Sequence, residues 1–494
     1  GTVAPFAGGG GAGFGGAIFS RAGSVLVLGN TTTTSCDVVA GTGGAPSAAG
    51  QDFFGVSNGI DGTLTQLTFN PTSGQTQSFS GSIGDTSANT LSTGDNPGSG
   101  AGLLLQKNGA GLLILLGANT YSGGTNVTAG VLQGNTLSLQ GNITDDTTVI
   151  FDEPSTGTPG TYAGVISGPG TLIKQNIGTT TFTGANTYTG GTTIDDGTLA
   201  LSGAGSLDSA GFVSINAGTF DISGSTGTQT IGDLSGTGIV NLGANDLIEG
   251  TANSTTYSGV IQGTGGLAKQ LGSSGTLTLT GTNTYTGGTI INAGTIALSG
   301  AGSLSSIGEV FIGSGGTFDI SGINAASQTI GDLTGAAGGF VTLGAKGLIT
   351  GTASNDTYAG IIQGTGSLTK QGSGTFTLTG ANTYSGGTTI NAGTLALSGA
   401  GTLDSTGAVT INAGTFDISG ITAGTQTIGD LSGTGTVNLG AKELAEGTAN
   451  NTTYAGSLQG VGGSLIKQGS GTLTLTGTST YTGGTNINAG TLLV

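Results

Sequence analysis

Across 494 residues the chain has 107 glycines, 7% charged residues, one cysteine, and no histidine, methionine or tryptophan. That composition excludes Ser-His-Asp and Cys-His catalytic arrangements, histidine-based metal sites, zinc clusters and any intramolecular disulfide. A net charge of −17, from 25 acidic and 8 basic residues, argues against nucleic acid or anionic lipid headgroups as partners, since both demand clustered Lys and Arg.

Residues 1–100 are the least regular part and read as divergent N-terminal coils or a cap. Gly11 to Phe19 followed by Ser24-Val-Leu-Val-Leu28 is glycine turn feeding alternating strand. Thr31 to Ser35 and Ser87 to Gly100 are loop-like, and Cys36 stands alone. Phe79-Ser-Gly-Ser-Ile83 opens a weak repeat that returns at Tyr162, Tyr257, Tyr358 and Tyr454.

Residues 101–494 are built from five copies of one text, near 105–134, 172–203, 267–300, 368–399 and 465–494. Each copy is anchored by a tyrosine, Tyr121, Tyr188, Tyr285, Tyr384 or Tyr481, followed by Ser or Thr and a glycine pair such as Gly190-Gly191, Gly287-Gly288 or Gly386-Gly387. The last three intervals between these tyrosines are 97, 99 and 97 residues, the mark of a repeat architecture. In Thr276-Leu-Thr-Leu-Thr280 the period of two puts leucines on one face and threonines on the other, a half-buried strand. The glycines that follow permit the positive φ of a sharp corner. Strand and corner alternate without any helical period, which predicts an all-β chain coiled as a parallel β-helix, a solenoid of short stacked strands with roughly five rungs per long unit.

These residues also resemble a known family. Gly-Thr-Leu-Thr-Leu-Thr-Gly, then Asn-Thr-Tyr-Thr-Gly-Gly-Thr and Ile-Asn-Ala-Gly-Thr, is similar to the passenger-associated transport repeat of bacterial autotransporters. Gly15-Gly-Ala-Ile18 resembles a motif of polymorphic outer-membrane autotransporters. The resemblance implies a right-handed β-helix, exported by a C-terminal β-barrel translocator expected in a longer parent chain, and exposed at the bacterial outer-membrane surface or extracellularly. It implies adhesion or a structural spacer role, with a host or neighbouring-cell surface, protein or glycan, as partner. No cofactor or metal is implied. A self-assembling filament or surface layer is the alternative, and a polysaccharide-acting β-helix enzyme a third reading.

The adjacent acids Asp145-Asp146, Asp152-Glu153 and Asp195-Asp196 are the only catalytic candidates. Neighbours along a strand point to opposite faces, whereas glycoside hydrolysis needs two carboxyls converging on one bond, so these read as surface or corner residues. Asp221, Asp319, Asp417, Asp233, Asp332 and Asp430 read as turn-formers that accept backbone amides. The Lys-Gln pairs at Lys174, Lys269, Lys370 and Lys467 lack the phosphate-loop pattern and read as outer-face lysines. The tyrosines at the two recurring positions could stack on neighbouring rungs or form a glycan platform. In the first copy the strand reads Leu112-Leu-Ile-Leu-Leu116, placing Leu112, Ile114 and Leu116 where later copies carry threonine. Such an apolar outer face is a candidate interface, to be covered by the N-terminal residues or by another chain.

Overall fold

In the computed structural model the described residues are 18–21, 25–28, 51–56, 65–79, 81–85, 102–154 and 159–494. Cys36 and the segment 86–101 lie outside them. The chain divides into two compact units, residues 1–226 and 227–494. Among the described residues there is no helix, and every strand pairing is parallel.

The second unit shows how the alternation becomes a core. Thr276, Thr295, Thr317, Phe340 and Ile361 occupy one ladder position on five successive rungs. One residue further on, Leu277, Ile296, Phe318, Val341 and Ile362 form the matching inner column, all buried. Each such side chain contributes about 1.5–3 kcal/mol by leaving water. An isolated rung has nothing on which to bury that face, so the stack is what makes any one rung stable.

Those four steps take 85 residues, about 21 per rung. The 99-residue interval from Tyr285 to Tyr384 is therefore about 4.7 rungs, in line with the roughly five expected but not a whole number. Because a rung is divided among three walls, a repeat that falls one third short of five rungs lands on the next wall. Thr276–Leu279, Thr375–Leu378 and Thr472–Leu475, the same text in three copies, accordingly lie in three different sheets. The repeated surface is thus turned by one wall with each copy of the second unit.

The first unit is built the same way. Its seven-stranded parallel sheet runs from Val25–Leu28 to Thr187–Tyr188, and Ile18–Arg21, Gln51–Val56 and Ser82–Asp85 form a second parallel stack. The described strands before residue 100 are therefore rungs in ladder register. Edge-to-face contacts among Phe151, Tyr162 and Phe182, with ring centroids 5.1–5.9 Å apart, fill part of its interior.

Candidate functional site

The repeated tyrosines face inward. Tyr121, Tyr188, Tyr285 and Tyr384 are buried, and each hydroxyl meets the threonine four residues on, Thr125, Thr192, Thr289 and Thr388, at 2.6–2.9 Å. Tyr481 makes the same contact with Thr485 at 2.5 Å but is only half-buried. The second series is buried as well: Tyr162, Tyr257 and Tyr454 donate to the carbonyls of Gly141, Gly238 and Gly435. Burial raises the phenol pKa of Tyr188, Tyr257, Tyr285, Tyr358, Tyr384 and Tyr454. Rings that are buried cannot form a glycan-binding platform, so that expectation is corrected. The described ring contacts join Tyr162 to phenylalanines and include no tyrosine pair.

The glycine pair after each tyrosine has two separate reasons. The first member is pressed against the rung below: a Cβ on Gly190, Gly287 or Gly386 would sit within 2.5 Å of the backbone of Gly170, Gly265 or Gly366. The second turns the corner, with φ of +86°, +94° and +89° at Gly191, Gly288 and Gly387, a region side chains avoid.

The lysines of the Lys-Gln pairs also face inward, which corrects their outer-face assignment. Lys174, Lys269, Lys370 and Lys467 are all buried, as is Lys107, which precedes Asn108 at the equivalent place of the first copy. Alternation itself carried that signal, because Leu368 and Lys370, two apart, share a face. Four of the five ammonium groups lie beneath a corner and donate to its carbonyls. Lys174 reaches Gln175 and Asn176 at 2.7 and 2.6 Å, Lys370 reaches Gln371 and Gly372 at 2.6 and 2.9 Å, and Lys467 reaches Gly469 at 2.7 Å. Lys107 donates to Gly109 and to Ala129. Desolvation lowers the pKa of Lys107 to about 8 and pulls Lys174 and Lys370 down as well.

A residue type that sequence reasoning missed is the asparagine two before the tyrosine. Asn119, Asn186, Asn283 and Asn382 are buried. Their Oδ1 atoms accept the backbone N–H of Ile83, Ile166, Ile261 and Ile362 at 2.7–3.0 Å. Asn186, Asn283 and Asn382 each donate to two carbonyls at once, for example Gly380 and Thr402 at 2.9 and 3.1 Å. The signal was present in the fixed spacing to the tyrosine, with Ser479 as the one departure.

The acids do not converge. Asp145 is buried while Asp146 faces out, and Glu153 is buried while Asp152 is half-exposed. Asp195 accepts Asn216 at 2.8 Å and Asp196 accepts the Gly197 amide at 2.7 Å. Burial, opposed by the Thr147 amide, pushes Asp145 up to about 6. Asp221, Asp319 and Asp417 accept the amide two residues on. Asp233, Asp332 and Asp430 instead accept Thr251, Thr352 and Thr448 from the next rung, so they tie rungs together. Among the described residues no group of three His, Cys, Asp or Glu is placed to hold a metal ion.

At the first copy, Leu112 and Ile114 are half-buried and Leu116 is 61% exposed. Leu112 is flanked in register by Thr76 and Val131, and Ile114 by Ser78 and Gln133. Most of the N-terminal segment expected to cover this face falls outside the described residues.

Comparison with known proteins finds similarity at these repeats. The passenger-associated-transport-repeat family matches residues 105–133, 172–201, 273–298, 368–397 and 465–494. The chain therefore carries five copies of this repeat on a parallel β-helix. It is 31% identical over 436 residues, 78% of its length, to the adhesin BmaC autotransporter of Brucella suis biovar 1 (strain 1330). Those residues span 12% of that relative's length.

Proposed function

We propose that this segment is a non-enzymatic stretch of a surface-displayed adhesin, carried to the outer-membrane surface or beyond by a β-barrel elsewhere in its parent chain. The observation that carries the reading is the division of chemistry between inside and outside. Every motif that defines the repeat, Asn, Tyr, Gly-Gly and Lys, is consumed in building the coil. The outer ladder is left with short polar side chains such as Thr276, Thr295, Thr317 and Asp319, followed on the next two rungs by Phe340 and Ile361, a wall suited to many weak contacts over a large area. The turn of one wall per copy presents the repeated surface in three directions, which favours multivalent attachment to an irregular cell surface, protein or glycan, over docking one partner on one side.

The test is adhesion of non-adherent bacteria that display this segment, measured on cultured cells and on a glycan array. Binding above that of bacteria displaying an unrelated β-helix is expected, and equal binding overturns the reading.

A second reading, lateral self-association, is favoured by two apolar outer patches. One is Leu112, Ile114 and Leu116. The other is Ile290 and Phe311, exposed neighbours on adjacent rungs, where the next copy has Thr389 and Thr410. Concentration-dependent fibres or sheets in negative-stain images favour it, and separate particles at all concentrations oppose it.

A further inference from the structure

One inner position differs among the three long units. Glu249 stands in ladder register with Lys269, Thr350 with Lys370, and Glu446 with Lys467. Lys370 and Lys467 turn to corner carbonyls. Lys269 instead faces Glu249, Nζ to Oε1, at 3.2 Å, in the only ion pair among the described residues, with side chains 1% and 0% exposed.

The pair is poorly accommodated as ions. Neither Glu249 oxygen has an aligned hydrogen-bond donor, and a buried charge pair must recover a desolvation penalty of several kcal/mol per ion. Burial pushes Glu249 up to about 7 against the pull of Lys269, so the neutral carboxyl is within reach near neutrality. Room for the amine head comes from Gly250, whose φ is +122° and whose Cβ would lie 2.5 Å from Nζ. The 3.2 Å contact is to Oε1, the oxygen bonded to the carbon that would be attacked, so the two groups are held as neighbours away from water, the arrangement that raises effective molarity.

We propose that Lys269 and Glu249 condense to an amide between Nζ and Cδ, a covalent staple joining two adjacent rungs. The ammonium passes one proton to the carboxylate it faces, the freed nitrogen lone pair attacks Cδ, the bond from Cδ to the protonated oxygen breaks, and a second nitrogen proton leaves with that oxygen as water. No oxidant, reductant or cofactor enters the balance. Both buried charges disappear, and the product amide spans a gap that the two side chains already bridge. Thr350 has no carboxyl, and Lys467 is committed to Gly469, so the staple forms once per chain. The inference is independent of the adhesive reading.

Intact mass spectrometry of the full chain, kept folded at neutral and mildly acid pH, is the test, followed by proteolysis and fragmentation of the peptides. The expected mass is lighter than the sequence mass by one water, with a branched peptide joined at Lys269 and Glu249. Glu249→Thr, which installs the residue the sister rung tolerates at Thr350, is expected at its full sequence mass, and Lys269→Met likewise. A full mass for the unaltered folded chain after prolonged incubation overturns the proposal, as does a water loss that persists in Glu249→Thr.

Discussion

The inner and outer faces of the same strands obey different rules. Inside, the columns repeat down to their polar members: tyrosine hydroxyls on threonine, asparagine amides under corners, lysine ammonium groups on turn carbonyls. Outside, the first copy carries Leu112 and Ile114 where the third carries Thr276 and Thr278, and both are rungs. What an interior position needs is a satisfied partner as much as apolarity, since an unpaired buried polar group costs about 1–3 kcal/mol. An outer position needs only compatibility with water or with a partner.

The largest effect should follow from emptying an inner tyrosine site. Tyr384→Ala removes a buried ring and is expected to destabilise its neighbourhood by about 3–5 kcal/mol. Thr377→Ala, at an outer position of the same unit, should cost no more than about 0.5 kcal/mol. In a stack whose rungs contact only their neighbours the loss stays local, so amide hydrogen exchange around the altered rung is the sharper measurement beside thermal melting. Equal costs at the two sites would break the distinction between inner and outer rules.

Next in size is the asparagine. Asn283→Ala strands the Ile261 amide and takes one of two donors from each of the carbonyls of Gly281 and Ser303, which keep their backbone partners, an expected loss of about 1–3 kcal/mol. Asn283→Ser should recover part of it, because Ser479 takes the equivalent place in the fifth copy and accepts the Leu458 amide at 3.3 Å. Denaturant melts of the two variants give the comparison.

Much of this was legible in the text. Period two in Thr276 to Thr280 gave strand and facing, and glycine spacing gave corners, because both rest on steric rules local to a few residues. The inward lysines were legible too, since Lys370 is in phase with Leu368, but a charged residue was assigned to water against the alternation. The turn of one wall per copy was not legible. It depends on residues per rung, which corner lengths set and only the ladder register displays. The Lys269 and Glu249 contact was likewise hidden, because it joins positions 20 apart whose meeting requires that same register.

A smaller, pH-dependent effect probes an inner carboxyl. Asp145 has its folded pKa raised to about 6 by burial, above the ordinary value near 3.9. The folded state therefore binds more protons than the unfolded chain between those values. The Asp145 contribution to stability should fall as pH rises from about 4 to about 6, by at most about 3 kcal/mol, beside contributions of the same sign from Asp356, Glu249 and Glu446, which burial also raises. Asp145→Asn keeps an acceptor for the Thr147 amide and removes the charge. Its melting temperature should therefore lose that part of the slope and exceed that of the parent at pH 7. An unchanged slope in the variant would place the titration elsewhere.

The smallest effect on folding belongs to the outer face, and there the comparison is most open to a break. Replacing Leu112, Ile114 and Leu116 together by threonine, the residue later copies carry, should move stability by no more than about 0.5 kcal/mol per site. Leu116 is already mostly in water, and Leu112 and Ile114 lie against Thr76, Ser78, Val131 and Gln133 without entering the core. If the patch is a contact between chains, light scattering across a concentration series should show association in the parent and its loss in the variant, with melting unchanged. If instead the variant melts several degrees lower as a separate particle, the three side chains are packed under part of the same chain. The first copy would then follow the inner rule on both of its faces, a rung closed on two sides where the later copies are closed on one.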